Sequence, residues 1–312
     1  MNLPPQTAVV FAYHSVGARG LAALLANNFD VRLVVTHQDA PDENIWFESV
    51  AELAQLNDIP VITPDNPNIP EVISHVRSCR PEWLFSFYYR NMLEQELLNI
   101  APKGAWNLHG SLLPKYRGRV PINWAVLHGE TETGASLHRM IIKPDAGRLV
   151  DQEAVPILPN DTAVMVFHKV VCAAEMILMR SLPKMQSGNF TEQVLDLSQG
   201  SYYSGRRPED GRINWQHSAS KIHNLIRAVA PPYPGAFFEI QGKNLSILGS
   251  YWRNEPAKSQ KARLYWENDR CYADCVDGFR FHITQLELDG ESLNAGSFVD
   301  CFGTSELVLE NI

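Results

Sequence analysis

Cysteine is scarce and unpaired in this chain: five residues among 312, at positions 79, 172, 271, 275 and 301. An odd, scattered set offers no disulfide framework and fits a reducing compartment. Cys271 and Cys275 form the one close pair. No second Cys or His pair lies near enough to complete a metal site, so no metal is expected and these thiols read as ordinary buried or half-buried groups. Long apolar runs are missing as well. None approaches the roughly 20 residues that span a bilayer, so membrane insertion is not expected. The segment Met1-Asn2-Leu3-Pro4-Pro5-Gln6 has no cationic stretch ahead of an apolar one, so no signal peptide is read and a cytoplasmic location is expected. Cations are in deficit: 27 Lys and Arg against 35 Asp and Glu give a formal net charge of -8. That balance argues against long-range attraction to nucleic acid or to an anionic membrane. The dinucleotide fingerprint G-x-G-x-x-G is also lacking. After the first apolar run only Gly17 and Gly20 are present, which serve either a backbone turn beside a ligand or a tight connection with close helix packing.

What is present is a regular alternation. Ala8–Tyr13, Val31–Thr36, Ile59–Ile62, Trp83–Tyr88 and Ala105–His109 are short apolar runs of the kind buried on both sheet faces. Between them, amphipathic stretches near 21–25, 49–57, 70–79 and 93–100 read as helices. Strands separated by helices give right-handed βαβ units and a largely parallel sheet. The pattern then changes. Gly134–Ile142 and Arg148–Ile157 are two strands too close to be joined by a helix, so they form an antiparallel hairpin with Asp145 in the turn Lys143-Pro144-Asp145-Ala146-Gly147. A long helix follows the Asn160-Asp161-Thr162 cap and runs to about Leu182. Polar segments from 186 to 205 mark a boundary. We expect a catalytic domain over 1–190, a linker over 191–205 and a smaller domain over 206–312. The last has a helix over 219–230 capped by Ser218 and a run of short strands suited to a small barrel or sandwich.

One stretch carries chemistry. Asn107 and His109 leave the fifth strand on the same face, two residues apart, ahead of a loop holding Pro114, Gly118 and three cations. Polar side chains at the carboxyl end of such a strand are where open α/β sheets place ligands. An imidazole exchanges protons near neutrality. A carboxamide N–H aimed at a carbonyl stabilises a tetrahedral oxyanion, worth roughly 3 kcal/mol when well placed. A carboxylate such as Asp145 would fix the imidazole tautomer, although a Pro-Asp-Ala-Gly run also serves as a plain turn. No Ser or Cys stands in this set as a nucleophile, so the set suits attack by a substrate's own amine on a bound acyl donor.

Longer motifs connect these residues to a family. Asn-Leu-His-Gly-Ser-Leu-Leu-Pro at 107–114, Tyr116-Arg117-Gly118, Pro121-Ile122-Asn123-Trp124 and Gly129-Glu130-Thr131-Glu132-Thr133-Gly134 resemble the active-site segment of the folate-dependent formyltransferases. Phe11–His14, Phe85–Arg90, Gly205-Arg206-Arg207, Arg227-Ala228-Val229 and Pro234–Phe237 are similar to the formyltransferase half of bifunctional polymyxin-resistance enzymes. The resemblance covers residues 7 to 250 closely and the rest more loosely. It implies a Rossmann-like catalytic domain followed by a small open, OB-like β-barrel. It implies transfer of the formyl group of 10-formyltetrahydrofolate to the 4-amine of UDP-4-amino-4-deoxy-L-arabinose, a step of lipid A (lipopolysaccharide) modification. In that resemblance His109 is the general acid/base, Asn107 the transition-state stabiliser and Asp145 the carboxylate supporting the imidazolium. Folate contacts fall on Asn91, Met92 and Leu93, on Arg119, and on Ile141, Ile142, Lys143, Pro144 and Asp145. The identities at 91–93 depart from the family's usual ones, so backbone contacts are expected there. The decarboxylase half of the bifunctional enzymes has no counterpart here, which leaves a stand-alone enzyme or an excised piece, monomeric or dimeric. Methionyl-tRNA formylation, another amino sugar and a siderophore hydroxyornithine are the rival acceptors, and the acidic balance speaks against the tRNA. A non-catalytic folate-binding module is the rival from another class.

Overall fold

The computed structural model describes residues 4–41 and 44–309. Met1–Leu3, which belong to the stretch read for a signal peptide, and the extreme ends of the expected domains lie outside the described residues. Contacts divide the chain into two units, one of Met1–Pro121, Thr133–Val155 and His168–Ser204, the other of Ile122–Glu132, Pro156–Phe167 and Gly205–Ile312.

The first unit alternates strand and helix: β1 (Gln6–Ala12), α1 (His14–Ala26), β2 (Phe29–Val35), α2 (Val50–Leu56), β3 (Val61–Ile62), α3 (Pro70–Ser78), β4 (Trp83–Phe87), α4 (Gln95–Leu98) and β5 (Ala105–His109). A short β6 (Arg117–Gly118) follows, and after α5 (Pro121–Leu127), which beyond Pro121 belongs to the second unit, come β7 (Glu132–Arg139), β8 (Leu149–Pro156), α6 (Ala163–Gln186), whose start also belongs to the second unit, and β9 (Tyr202–Tyr203). The main sheet has the order β3-β2-β1-β4-β5-β7-β8. The pairs from β3 to β5 are parallel, and β7 joins β5 antiparallel. This is the expected Rossmann-like, mostly parallel sheet. Its central strands are apolar on both faces, with Val9, Phe11, Leu33, Val35 and Leu84 in one core.

Several boundaries differ from the sequence expectation for physical reasons. The helix expected over 93–100 shrinks to Gln95–Leu98, because Leu93 is drawn into the core before the helix begins. Helix α6 passes Pro183 and ends at Gln186. Met185 is buried there, and Gln186 is tied by its side chain to the Asn27 carbonyl at 2.9 Å and by its own carbonyl to Gln6 at 3.0 Å. These anchors outweigh the one N–H that a late proline removes. The two readings of Gly17 and Gly20 resolve toward packing. A Cβ on Gly20 would stand 2.4 Å from the Phe87 ring, and one on Gly17 would press on Val50 and Ala12.

The second unit holds α7 (Ala219–Val229), β10 (Ala236–Ile240), β11 (Lys243–Pro256), β12 (Arg263–Glu267), β13 (Arg270–Asp274), β14 (Phe279–Leu288), β15 (Glu291–Ser292), α8 (Ala295–Phe302) and β16 (Glu306–Val308). Its antiparallel sheet runs β10-β11-β14-β13-β12-β16, with β15 on β14. Ile222 and Ile226 of α7 share a core with Phe238, Leu245, Leu264 and Phe281, the arrangement of an open OB-like barrel. Ser218 caps α7 as expected, accepting from Lys221 N–H at 3.3 Å. Strand β13 and helix α8 complete this unit. Both carry a signal: Asn268 and Asp269 take positive φ in the turn before β13, and Asn294 accepts from Gly296 and Ser297 N–H at the start of α8. Among the described residues no helix is long and apolar enough to cross a membrane.

Candidate active site

The carboxyl ends of β1, β4 and β5 lie along one edge of the sheet. The strand order reverses between β1 and β4, the kind of point beside which open α/β sheets bind ligands. Strand β5 delivers Asn107 and His109 to that edge. The antiparallel register of β7 sets His138 opposite Asn107 and Ser136 opposite His109. The connection from β7 to β8 returns Asp145 to the same place. His109 Nδ1 stands 3.6 Å from Asp145 Oδ1, and Asn107 Nδ2 stands 3.4 Å from the same oxygen. All three residues singled out in the sequence therefore meet around one carboxylate.

That carboxylate is held from every side. Gly118 N–H donates to Asp145 Oδ2 at 2.9 Å, and His138 Nε2 faces Oδ1 at 3.5 Å. The Asp145 side chain is only 13% exposed. Burial alone pushes its carboxyl upward. The His109 charge, the His138 ring and the Gly118 N–H overcome burial and hold the carboxyl well below the usual carboxylate range. Asp145 also takes φ +49°, a left-handed conformation that Asp tolerates better than most residues.

His109 is buried, and its other nitrogen is engaged too: Nε2–H donates to the Tyr116 carbonyl at 2.8 Å. The loop that supplies this carbonyl is fixed by buried hydroxyls. Ser111 Oγ donates to the Lys115 carbonyl at 2.7 Å, and Ser136 Oγ donates to the Ser111 carbonyl at 2.6 Å. Ser136 Oγ in turn accepts from Leu113 N–H and from Gln152. The loop then pairs β6 with β9, so Gly118 is set by a strand contact from the distant Tyr202–Tyr203. At φ +97°, with a hypothetical Cβ only 2.2 Å from the Tyr203 carbonyl oxygen, this position takes glycine alone without displacement.

His138 is the site residue that sequence reasoning missed. It is 1% exposed, donates Nδ1–H to the Arg139 carbonyl at 2.8 Å, and turns Nε2 toward Asn107 Nδ2 at 3.1 Å. Its signal was cross-strand register, which spacing along one strand does not carry.

The segments expected to contact folate converge at this end of the sheet. Arg119 Nη2 donates to the Arg90 carbonyl at 3.3 Å, which links 119 to the 91–93 segment, while Gly118 links it to Asp145. Asn91 Nδ2 donates to the Asp65 carbonyl, and the Met92 carbonyl accepts from Asn68. Leu93 is buried as a whole residue, so at that position neither side chain nor backbone presents surface, unlike the expected backbone contact. Ile141 and Ile142 are 43% and 57% exposed, Lys143 is exposed and Pro144 half-buried. Among the described residues no cluster of His, Cys, Asp or Glu is placed to hold a metal ion. Burial pushes the Cys271 and Cys275 thiols upward, which leaves them unreactive packing groups.

The profile of the formyl transferase family matches residues 7–182, and that of the formyl transferase C-terminal domain matches 206–301. Among solved structures, the chain is similar to WlaRD, a sugar 3N-formyl transferase solved in the presence of dTDP and 5-N-formyl-THF. The identity is 20% and the TM-score 0.71, over 93% of this chain and 97% of that one. It is also similar to the N-formyltransferase from Helicobacter canadensis in complex with folinic acid and dTDP-3-aminofucose, at 22% identity and TM-score 0.70, over 89% and 98%. HypX from Aquifex aeolicus in complex with tetrahydrofolic acid matches at 15% identity and TM-score 0.64, over 94% of this chain and 46% of that one. At these identities the likeness is one of fold.

Proposed function

Since the chain belongs to the formyl transferase family, we propose that it moves the formyl group of 10-formyltetrahydrofolate to the amine of a nucleotide-linked amino sugar, with the 4-amine of UDP-4-amino-4-deoxy-L-arabinose as acceptor. The product would serve lipid A modification and polymyxin resistance. The observation that carries this reading is the meeting of Asn107, His109 and Asp145 around one buried carboxylate, with no Ser or Cys nucleophile in the set. Support for the acceptor class comes from the amino-sugar and folate ligands named for the similar structures.

In this mechanism the sugar amine attacks the formyl carbon directly. The new C–N bond forms as the carbonyl pair moves onto oxygen. Asn107 stabilises that oxyanion with an N–H released from its long 3.4 Å contact to Asp145, keeping the shorter one to His138. For His109 to carry the proton lost by the amine to the folate N10, whose bond to the formyl carbon then breaks, one ring nitrogen exchanges its contact with Asp145 or with the Tyr116 carbonyl for the substrate. Asp145 stabilises His109 while the ring is charged. Tetrahydrofolate and the formamido sugar leave. The exposed Ile141 and Ile142 offer apolar surface near Asp145 for the folate, and Arg119, tied to the Arg90 carbonyl, offers a cation.

The test is an acceptor panel with purified protein and 10-formyltetrahydrofolate. The UDP-4-amino-pentose should be formylated at least tenfold more efficiently than a dTDP-3-amino sugar, hydroxyornithine or charged initiator tRNA. Preference for any of the other three removes the assignment of the acceptor while leaving the acyl-transfer chemistry in place.

A further inference from the structure

Alternation along the carboxy-terminal strands sends Cys271, Ala273, Phe281 and Ile283 into the core and leaves Arg270, Tyr272, Arg280 and His282 on the outer face. Register then builds a row across three strands. His282 of β14 stands between Tyr251 of β11 and Tyr272 of β13. The His282 and Tyr272 rings lie 5.3 Å apart, and Tyr251 is 43% exposed, so the row is a shallow aromatic platform. Arg253 sits over the Tyr251 ring at 5.3 Å, and Arg253 and Arg270 line the same depression as the three rings.

The charges on this face are unequal in their partners. Arg280 is ion-paired with Glu255 at 2.9 Å and lies over Tyr272 at 4.6 Å. Among the described residues, no carboxylate pairs with the guanidinium of Arg253 or of Arg270. Their field reaches His282: burial, then Arg270 and Arg253, push its imidazole downward, with Glu255 as the weaker opposing charge. Two arginines without carboxylate partners, beside a row of aromatic rings, are conspicuous in a chain whose acidic groups outnumber its basic ones.

We propose that the outer face formed by Tyr251, Arg253, Arg270, Tyr272 and His282 binds a nucleoside diphosphate, the base stacked on the tyrosine–histidine row and the phosphates held by the two arginines. Base stacking on aromatic side chains is favourable for any base, and guanidinium groups match phosphate geometry. A mononucleotide fits better than an RNA strand. Two available cations neutralise about two phosphates, and a strand needs a longer basic track than this acidic chain provides. The site lies in the other unit from His109 and stands independently of the acyl-transfer reading.

The test is titration of the full chain with UDP at low ionic strength, read at the His282 ring by NMR of the histidine-labelled protein. UDP should shift the His282 resonances saturably. The Arg253→Ser/Arg270→Ser double variant should weaken that response at least tenfold, with unchanged melting temperature and unchanged formyl transfer. No His282 shift at millimolar UDP, or the same titration in the double variant, overturns the proposal. Equal affinity for inorganic pyrophosphate removes the stacked base. An octauridylate that binds at these resonances at least tenfold more tightly than UDP makes the face an RNA track instead.

Discussion

Asp145 concentrates the electrostatics of the site. Its carboxylate is ionised in the folded protein because His109, His138 and the Gly118 N–H oppose the cost of burial. The sign of the resulting pH dependence follows. The folded carboxyl titrates below its unfolded value of about 3.9, so its contribution to stability is full above that value and is lost as pH falls toward the folded one. Asp145→Asn should therefore cost about 1–3 kcal/mol in chemical denaturation at pH 7, and the gap to the wild type should narrow as pH drops below about 4. A gap that widens toward acid would contradict this assignment. Asn107 and His109 were legible from the sequence because alternation on one strand places them on one face. His138 was not, since nothing in its own neighbourhood of the chain states which strand lies opposite.

The loop from β5 to α5 works as a clamp on that carboxylate. Its path is fixed by Ser111, Ser136 and Gln152, and its end is fixed by pairing of Arg117–Gly118 with Tyr202–Tyr203. Gly118 has two reasons to be glycine, a φ of +97° and the Tyr203 carbonyl 2.2 Å from where a Cβ would stand. Gly118→Ala should destabilise the fold by about 1 kcal/mol or more from the backbone conformation alone. It should lower turnover more than tenfold by displacing the N–H from Asp145. Melting curves and steady-state rates on the same preparation check both, and an unchanged kcat would show that the clamp is dispensable. The parallel strands could be read because each is an apolar run bounded by turns. The pairing of β6 with β9 could not, because two-residue strands in polar loops have no periodicity to detect.

Two units divide the tasks legible in the motifs. The first places the His109 imidazole at the carboxyl end of β5 in a mostly parallel sheet, and the second is an antiparallel barrel with its own core and an outward face of arginine and aromatic groups. The acidic balance of the chain is silent about that face, because a net charge averages over local patches. The parallel pairing of the strands was predictable from their alternation with helices, whereas their order was not, and the crossing of β7 beside β5, which completes the site, depended on a hairpin folding back onto a parallel sheet. The most direct measurement is single-turnover formyl transfer by His109→Ala, with folate affinity determined on the same protein. A loss of about 10²–10⁴ in the transfer rate is expected, with folate affinity changed less than about threefold. A variant that transfers formyl at the wild-type rate, or that loses folate binding in proportion to rate, contradicts it.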